Sequence, residues 1–180
     1  MRTSPNGLLF IKKHEGIRLS AYTDIAGKWT IGVGHLIDTI NEPELLSRTI
    51  TEAEAMELLA IDVREAETGV RNRFQVPLNQ NQFDSLVSFT FNLGAGNLAQ
   101  ASFADAINNG STREDISERW KRYDKARDPE TGLLVSSAGL AKRRQDEVNL
   151  YYKSSDQKKN STDSSGFSGS NNHSYPTDEI

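Results

Sequence analysis

The sequence predicts an α+β fold that is mostly helical and has a small antiparallel sheet near its N-terminus. In several segments apolar residues recur every three or four positions, which is the spacing of one face of an α-helix. Residues 18–35 instead alternate bulky and small side chains around a turn, as a hairpin does. At 180 residues the chain can bury a sizeable core, and without Cys it has no disulfides or thiolate metal sites.

Each element follows from its own pattern. The first helix contains Leu8, Ile11 and Glu15 on one face, and Gly16 is placed to end it. The hairpin consists of residues 18–22, a turn at 24–27 and a second strand at 28–35.

The remaining elements are predicted to be helices. Thr51 begins a long amphipathic helix through a capping box with Glu54, and Asn79 caps a central core helix that ends at residues 94–96. Thr112 opens another helix. Further apolar residues at helical spacing are Phe103 and Ile107 before Gly110, and Leu140, Val148 and Tyr151 in the last helix.

Charge and the two ends of the chain exclude several classes of protein. The net charge of −4 argues against nucleic-acid binding, because that affinity comes largely from neutralising phosphates. The apolar run at 8–11 is too short for a signal peptide or a membrane span, so we expect cytoplasmic synthesis and no membrane insertion. Residues 153–180 are polar and are predicted to be a disordered tail, since they cannot offset the entropy of ordering.

Glu15 is a candidate general acid. It lies on the apolar stripe of its helix and in the last turn. Burial and the negative end of the helix dipole both disfavour a charged carboxylate, so both would keep Glu15 protonated, as a general acid requires. The alternative is a Glu at a helix end that faces water.

The second strand of the hairpin is predicted to have one bulky and one nearly bare face. Its alternating residues are Trp29, Ile31 and Val33 on one side and Thr30, Gly32 and Gly34 on the other. Because Gly is costly inside strands, a bare face suggests the close approach of another chain, and we expect Gly32 to contact substrate. A bulge or a close helix crossing would also explain the glycines.

Asp24 and Thr30 are expected to face the gap below Glu15, where a carboxylate and a hydroxyl could hold a water. In an inverting glycosidase one acid protonates the leaving oxygen while a second carboxylate, roughly 6.5–9.5 Å away, activates water. Taken singly, Asp24 is typical of a turn and Thr30 of a strand. Only their combination with Glu15 indicates glycoside hydrolysis.

Several stretches occur together in the order found in one known family. They are EGIRL at 15–19, YTD at 22–24, GKWTIGVGH at 27–35, SFTFNLGAG at 88–96 and GLAKRR at 139–144. Through them the sequence resembles the phage-type lysozymes, the endolysins of glycoside hydrolase family 24, over nearly all of residues 8–152.

The resemblance implies a two-lobed lysozyme-like fold in residues 1–152. The β-containing lobe would occupy about 15–60, and the helical lobe about 61–152 together with the N-terminal helix. It also implies hydrolysis of the β-1,4 bond between N-acetylmuramic acid and N-acetylglucosamine in bacterial peptidoglycan. By the family pattern Glu15 is the acid and Asp24 with Thr30 positions the water, usually with inversion. No metal and no cofactor is implied.

Four further positions match the family pattern. Asn92 matches an amide at the cleft, although it could equally cap or terminate its helix. Arg143 matches a basic position near the bound wall fragment, although residues 142–144 could instead form a solvated helix face. His35 matches a structural histidine and Asp62 its usual partner. We therefore predict a His35–Asp62 pair rather than a catalytic base or a metal ligand.

Some questions stay open after the resemblance. A lytic transglycosylase would use Glu15 without a water-holding carboxylate, and an inactive wall-binding module would need neither acid. The loop at 128–132, the polar tail and the acidic balance depart from the family pattern and bear on substrate preference. Without an export signal, the protein would reach the wall after release by a holin, or as a delivered toxin neutralised by an inhibitor. A monomer is expected, because no long heptad pattern is present.

Overall fold

The computed structural model describes residues 1–24 and 26–154. Within them the chain is α+β and mostly helical, with a small antiparallel sheet near the N-terminus, as predicted. The helices are α1 Pro5–Glu15, α2 Glu52–Arg73, α3 Gln80–Leu93, α4 Ala95–Ala99, α5 Ser102–Asn108, α6 Arg113–Lys121 and α7 Ala138–Tyr151, with a 3-10 turn at Pro43–Leu46. No helix in this part of the chain combines the length and apolarity needed to cross a bilayer.

The predicted helix starts are confirmed. Thr51 and Asn79 each form a complete capping box, in which the side chain accepts from the third helical N–H and the third side chain accepts from the cap N–H. Thr112 caps α6 through its side chain. The predicted end of α3 is confirmed as well, because Gly94 caps the helix with φ 85°. The residues that follow Gly94 begin the short helix α4, which the sequence did not indicate.

The N-terminal sheet contains three antiparallel strands in the order β1, β2, β3, with β1 at Arg18–Thr23, β2 at Trp29–Gly32 and β3 at His35–Leu36. The prediction of one strand over 28–35 is wrong. Gly32 and Gly34 adopt φ values of 65° and 81°, and the chain turns there. Glycine reaches positive φ without the steric cost that other residues meet, so these glycines make a turn rather than a bare strand face.

A second hairpin was not predicted. β4 (Lys125–Arg127) pairs with β5 (Leu134–Ser136) through the loop at 128–132. Asp128 organises this turn, because its Oδ1 accepts the N–H groups of Glu130 and Thr131. All six strand residues are exposed, and each strand is only three residues long. Such strands are too short to show the alternation over four to eight residues from which a half-buried strand is recognised.

The buried apolar side chains form two clusters. The larger surrounds α3, in which the eight residues from 83 to 90 are all buried. The smaller lies beneath the three-stranded sheet and consists of Ile31, Ile37, Leu45, Ile50 and Ala55. A division into lobes near residue 60 stays a prediction, and the predicted tail lies outside the described residues from position 155 onward.

Candidate active site

Glu15 is the last residue of α1, and Gly16 ends the helix with φ 77° while its N–H bonds to Lys12 O. The carboxylate does not lie in the apolar surroundings expected from the sequence. About 27% of its side chain is exposed, and its Oε1 accepts a hydrogen bond of 2.6 Å from Arg143 Nη1. The apolar stripe of α1 thus ends before Glu15, whose carboxylate is oriented by an ion pair.

Arg143 in α7 is buried, with 5% of its side chain exposed, so residues 142–144 do not form one solvated face. Besides Glu15, its guanidinium donates to Glu147 Oε1 at 3.2 Å and to Ser88 O at 3.2 Å. Glycan contact by Arg143 was predicted. In the structure most of its donors are already engaged by protein groups, and its main contact at the site is Glu15.

Glu147 was not predicted and lies at the centre of a buried polar network. Its side chain is fully buried and accepts from Ser88 Oγ at 2.8 Å and from Trp120 Nε1 at 3.1 Å, as well as from Arg143 and Arg144. Burial raises the pKa of Glu147, and the two guanidiniums oppose that shift. The sequence did contain an indication of this network, because Arg143 and Arg144 precede Glu147 by four and three residues on one helix, and side chains at these spacings are neighbours.

Arg144 connects this network to Asn92. Its Nη2 donates to Asn92 Oδ1 at 2.9 Å, and its Cζ lies 4.9 Å from the centre of the Phe89 ring. Nε is 2.8 Å from Glu147 Oε2 at an angle unsuited to a hydrogen bond, and Nη1 has no hydrogen-bond partner among the described residues. The Phe89 ring therefore provides a cation–π contact where hydrogen bonds are missing.

A surface groove of about 430 Å³ opens between the end of α1, the end of α3 and the start of α7. It brings together three of the predicted residues, Glu15, Asn92 and Arg143. Its other lining residues are Lys13, His14, Ser137, Gly139, Leu140 and Lys142. The described residues that line it do not include Asp24, in the turn after β1, or Thr30, in β2.

Asp24 follows β1 and holds the turn together, as expected from the alternative interpretation of this residue as a turn residue. Its Oδ1 accepts the N–H groups of Ala26 at 2.9 Å and Lys28 at 2.8 Å. No described residue donates a hydrogen bond to Oδ2. One carboxylate oxygen thus fixes the turn, and the other is available to a ligand or a water.

Thr30 is buried, and its hydroxyl donates to Lys28 O at 3.2 Å. The register of the sheet pairs Thr30 with Tyr22 on one side and with Leu36 on the other. Paired residues in antiparallel strands share a face, so Tyr22 and Leu36 flank Thr30. Sequence reasoning missed the contact with Leu36, because it treated residues 28–35 as a single strand and so predicted no third strand.

Gly32 is buried against α2, so of the explanations offered for this glycine the structure supports the close helix crossing. A Cβ placed on Gly32 would lie 3.3 Å from the Cβ of Ala55 in α2. The expected bare face is therefore absent: Gly32 approaches a helix of this chain, and the backbone turns there.

His35 is held between two carboxylates. Nδ1 lies 3.0 Å from both oxygens of Asp62, and Nε2 lies 3.1 Å from Glu42 Oε2, a partner the sequence did not suggest. Burial lowers the pKa of His35, but the hydrogen bonds and charges of Glu42 and Asp62 outweigh it, and the pKa is raised. Burial also raises the pKa of Asp62, against the effect of His35.

Among residues 1–24 and 26–154, no group of three or more acidic or histidine side chains is arranged to hold a metal ion.

Comparison with known proteins decides the family. The profile described as phage lysozyme matches residues 12–147. The chain belongs to the phage lysozyme family. An endolysin of Acyrthosiphon pisum secondary endosymbiont phage 1 is 33% identical over 84% of this chain and 98% of its own length. The endolysin of Salmonella phage P22 is 37% identical over 69% of this chain and 87% of its own.

Solved structures agree with this assignment. The endolysin from Escherichia coli O157:H7 phage FAHEc1 aligns with a TM-score of 0.74 and 35% identity, covering 84% of this chain and 94% of the other. The muramidase domain of SpmX from Asticaccaulis excentricus aligns with a TM-score of 0.73 and 30% identity, covering 85% and 99%. The chain is thus a glycosidase with a lysozyme fold, from a family of enzymes that act on bacterial peptidoglycan.

Proposed function

We propose that this protein hydrolyses the β-1,4 bond between N-acetylmuramic acid and N-acetylglucosamine with inversion. Glu15 donates the proton to the leaving oxygen, and Asp24 with Thr30 positions the attacking water. The observation that supports this most directly is the open groove at Glu15, where Arg143 fixes one carboxyl oxygen.

The contacts of Glu15 suit an oriented acid. Arg143 binds Oε1, and no described residue donates to Oε2, so Oε2 is the oxygen that would hold the transferred proton. Arg143 is itself held by Ser88 and Glu147, so the carboxyl group is oriented by a side chain whose own position is fixed. Such support keeps a reacting group within the narrow geometry that proton transfer requires.

The water would be held by two acceptors. The hydroxyl proton of Thr30 is directed to Lys28 O, so Oγ1 is left to accept. A water that donates one O–H to Asp24 Oδ2 and the other to Thr30 Oγ1 keeps a lone pair for the anomeric carbon. Proton loss to Asp24 then completes the attack from the face opposite the leaving group, which gives inversion.

The test compares products from purified peptidoglycan treated with wild type, Glu15→Gln, Asp24→Asn and the control Glu118→Gln. Glu118 is exposed on α6 and lines no part of the groove. We expect reducing muropeptides from wild type and control, with the initial anomer inverted in NMR, and rates lowered about 100-fold or more by either active-site variant. Products with 1,6-anhydro ends would mean a transglycosylase, and the absence of cleavage by wild type would mean a wall-binding module.

We also propose that this activity serves bacterial lysis after the enzyme is released from the cytoplasm, which rests on the endolysin names of its relatives. Holin-dependent release, control by an inhibitor and a monomeric state belong to the same proposal. Lysis of a host culture with and without a co-expressed holin tests the route, since release through a holin predicts lysis only when both proteins are present.

A further inference from the structure

The groove beside Glu15 has a positive rim that bond cleavage does not use. Lys13 in the last turn of α1 and Lys142 in α7 both line the groove, and their side chains are 64% and 66% exposed. The chain as a whole carries a net charge of −4. The rim therefore has the opposite sign to the molecule around it.

The acidic groups nearby do not balance these lysines. Below the rim, the guanidiniums of Arg143 and Arg144 are matched by two carboxylates, those of Glu15 and Glu147. At the rim, a single carboxylate oxygen, Asp146 Oδ2, lies 2.7 Å from Lys142 Nζ and 3.6 Å from Lys13 Nζ. Two ammonium groups thus share one carboxylate, and one positive charge remains without a counterion among the described residues.

His14 does not change this balance. Its Nε2 is buried, has no hydrogen-bond partner among the described residues and lies 3.5 Å from Asp146 Oδ2. Burial, followed by the charge of Arg143, lowers the pKa of His14. A lowered pKa favours the neutral imidazole, so the excess charge at the rim comes from the two lysines.

We propose that Lys13 and Lys142 bind a carboxylate of the peptide stem of peptidoglycan and so favour glycan that carries peptides. The inference rests on the proposed function. The sugar rings of the wall are uncharged, whereas the peptides on its lactyl groups carry free carboxylates. A lysine ammonium is a compact charge on a flexible chain and can follow a carboxylate whose position varies with the peptide.

The experiment uses soluble, uncross-linked glycan strands that carry stem peptides, either native or with their carboxylates converted to amides. The variants are Lys13→Met, Lys142→Met and the double variant, and the control is Lys121→Met, an exposed lysine on α6 that does not line the groove. Measurements are made at low ionic strength, because salt screens exposed charges. Thermal unfolding of each variant checks that the fold is kept.

For native strands we expect each single variant to raise KM about threefold and the double variant about tenfold, with kcat unchanged, as for exposed ion pairs. Amidation should raise the KM of wild type and of Lys121→Met about tenfold and leave that of the double variant unchanged, because the interaction is already lost. An unchanged KM in the double variant, or an equal effect of amidation on it and on wild type, overturns the proposal.

Two further outcomes separate neighbouring explanations. Strands stripped of peptides by an amidase expose the lactyl carboxylate, and the same lysine dependence on these strands would overturn the assignment to the stem. If wild type releases no reducing ends from any strand, the proposed function fails. Sedimentation binding of wild type and the double variant to native and amidated strands then decides the lysine site separately, and equal binding in all four combinations overturns it.

Discussion

The free energy of unfolding should depend strongly on Glu147, although this residue does not line the groove. Replacing Glu147 by Gln keeps the shape of the side chain and removes the charge that faces two buried guanidiniums. The side chains of Arg143 and Arg144 are 5% and 0% exposed, so water cannot compensate for the loss. Breaking a buried ion pair by removing one partner typically costs about 3–5 kcal/mol, because the remaining charge is left buried.

The amide of Gln can still accept from Ser88 or Trp120, so we expect the lower end, about 3 kcal/mol. For a domain of this size that corresponds to a fall in Tm of roughly 6–12 °C. The assay is urea unfolding followed by Trp fluorescence, with Glu118→Gln on the surface of α6 as the control, expected to change the free energy by less than about 0.5 kcal/mol. A loss below about 1 kcal/mol in Glu147→Gln would refute the argument that this carboxylate balances the two arginines.

Two further predictions concern the sheet. Because the pKa of His35 is raised in the folded protein, the protonated imidazole stabilises the fold. This stability is fully present below the unfolded pKa of about 6.5 and is lost as the pH rises through the folded pKa. In His35→Asn the free energy of unfolding should therefore fall less between these two pKa values. An NMR titration in which His35 shows an ordinary or lowered pKa would contradict this. Gly32→Ala should lower the free energy of unfolding in urea by about 2 kcal/mol or more, because alanine is strained at positive φ and its Cβ would also crowd Ala55. Gly132→Ala has the same strain at φ 69° but open space around it, so it should cost only about 1 kcal/mol. Equal losses in the two variants would exclude the helix contact as a cause.

Much of the fold follows from local pattern, and the sequence was sufficient there. The capping boxes at Thr51 and Asn79 and the apolar spacing after them specify α2 and α3, because both signals lie within a few residues along the chain. Gly16 marks the end of α1 and therefore the place of Glu15. The family motifs around Glu15, Asp24 and Thr30 selected the chemistry from one stretch of sequence, and their roles stay predictions until the variants are measured.

Only the tertiary structure shows what surrounds these residues. Sequence reasoning placed Glu15 on the buried apolar stripe of its helix, whereas residues 128 positions apart meet as the Glu15–Arg143 ion pair. In the same way, Gly32 was assigned to a bare strand face, but the helix that packs on it is specified by residues far along the chain. Local propensity depends on near neighbours, while burial, ion pairing and groove shape depend on which distant segments pack together. The sequence therefore determined most of the helices and the candidate acid, and tertiary packing decided the partners of that acid and the charge at its groove.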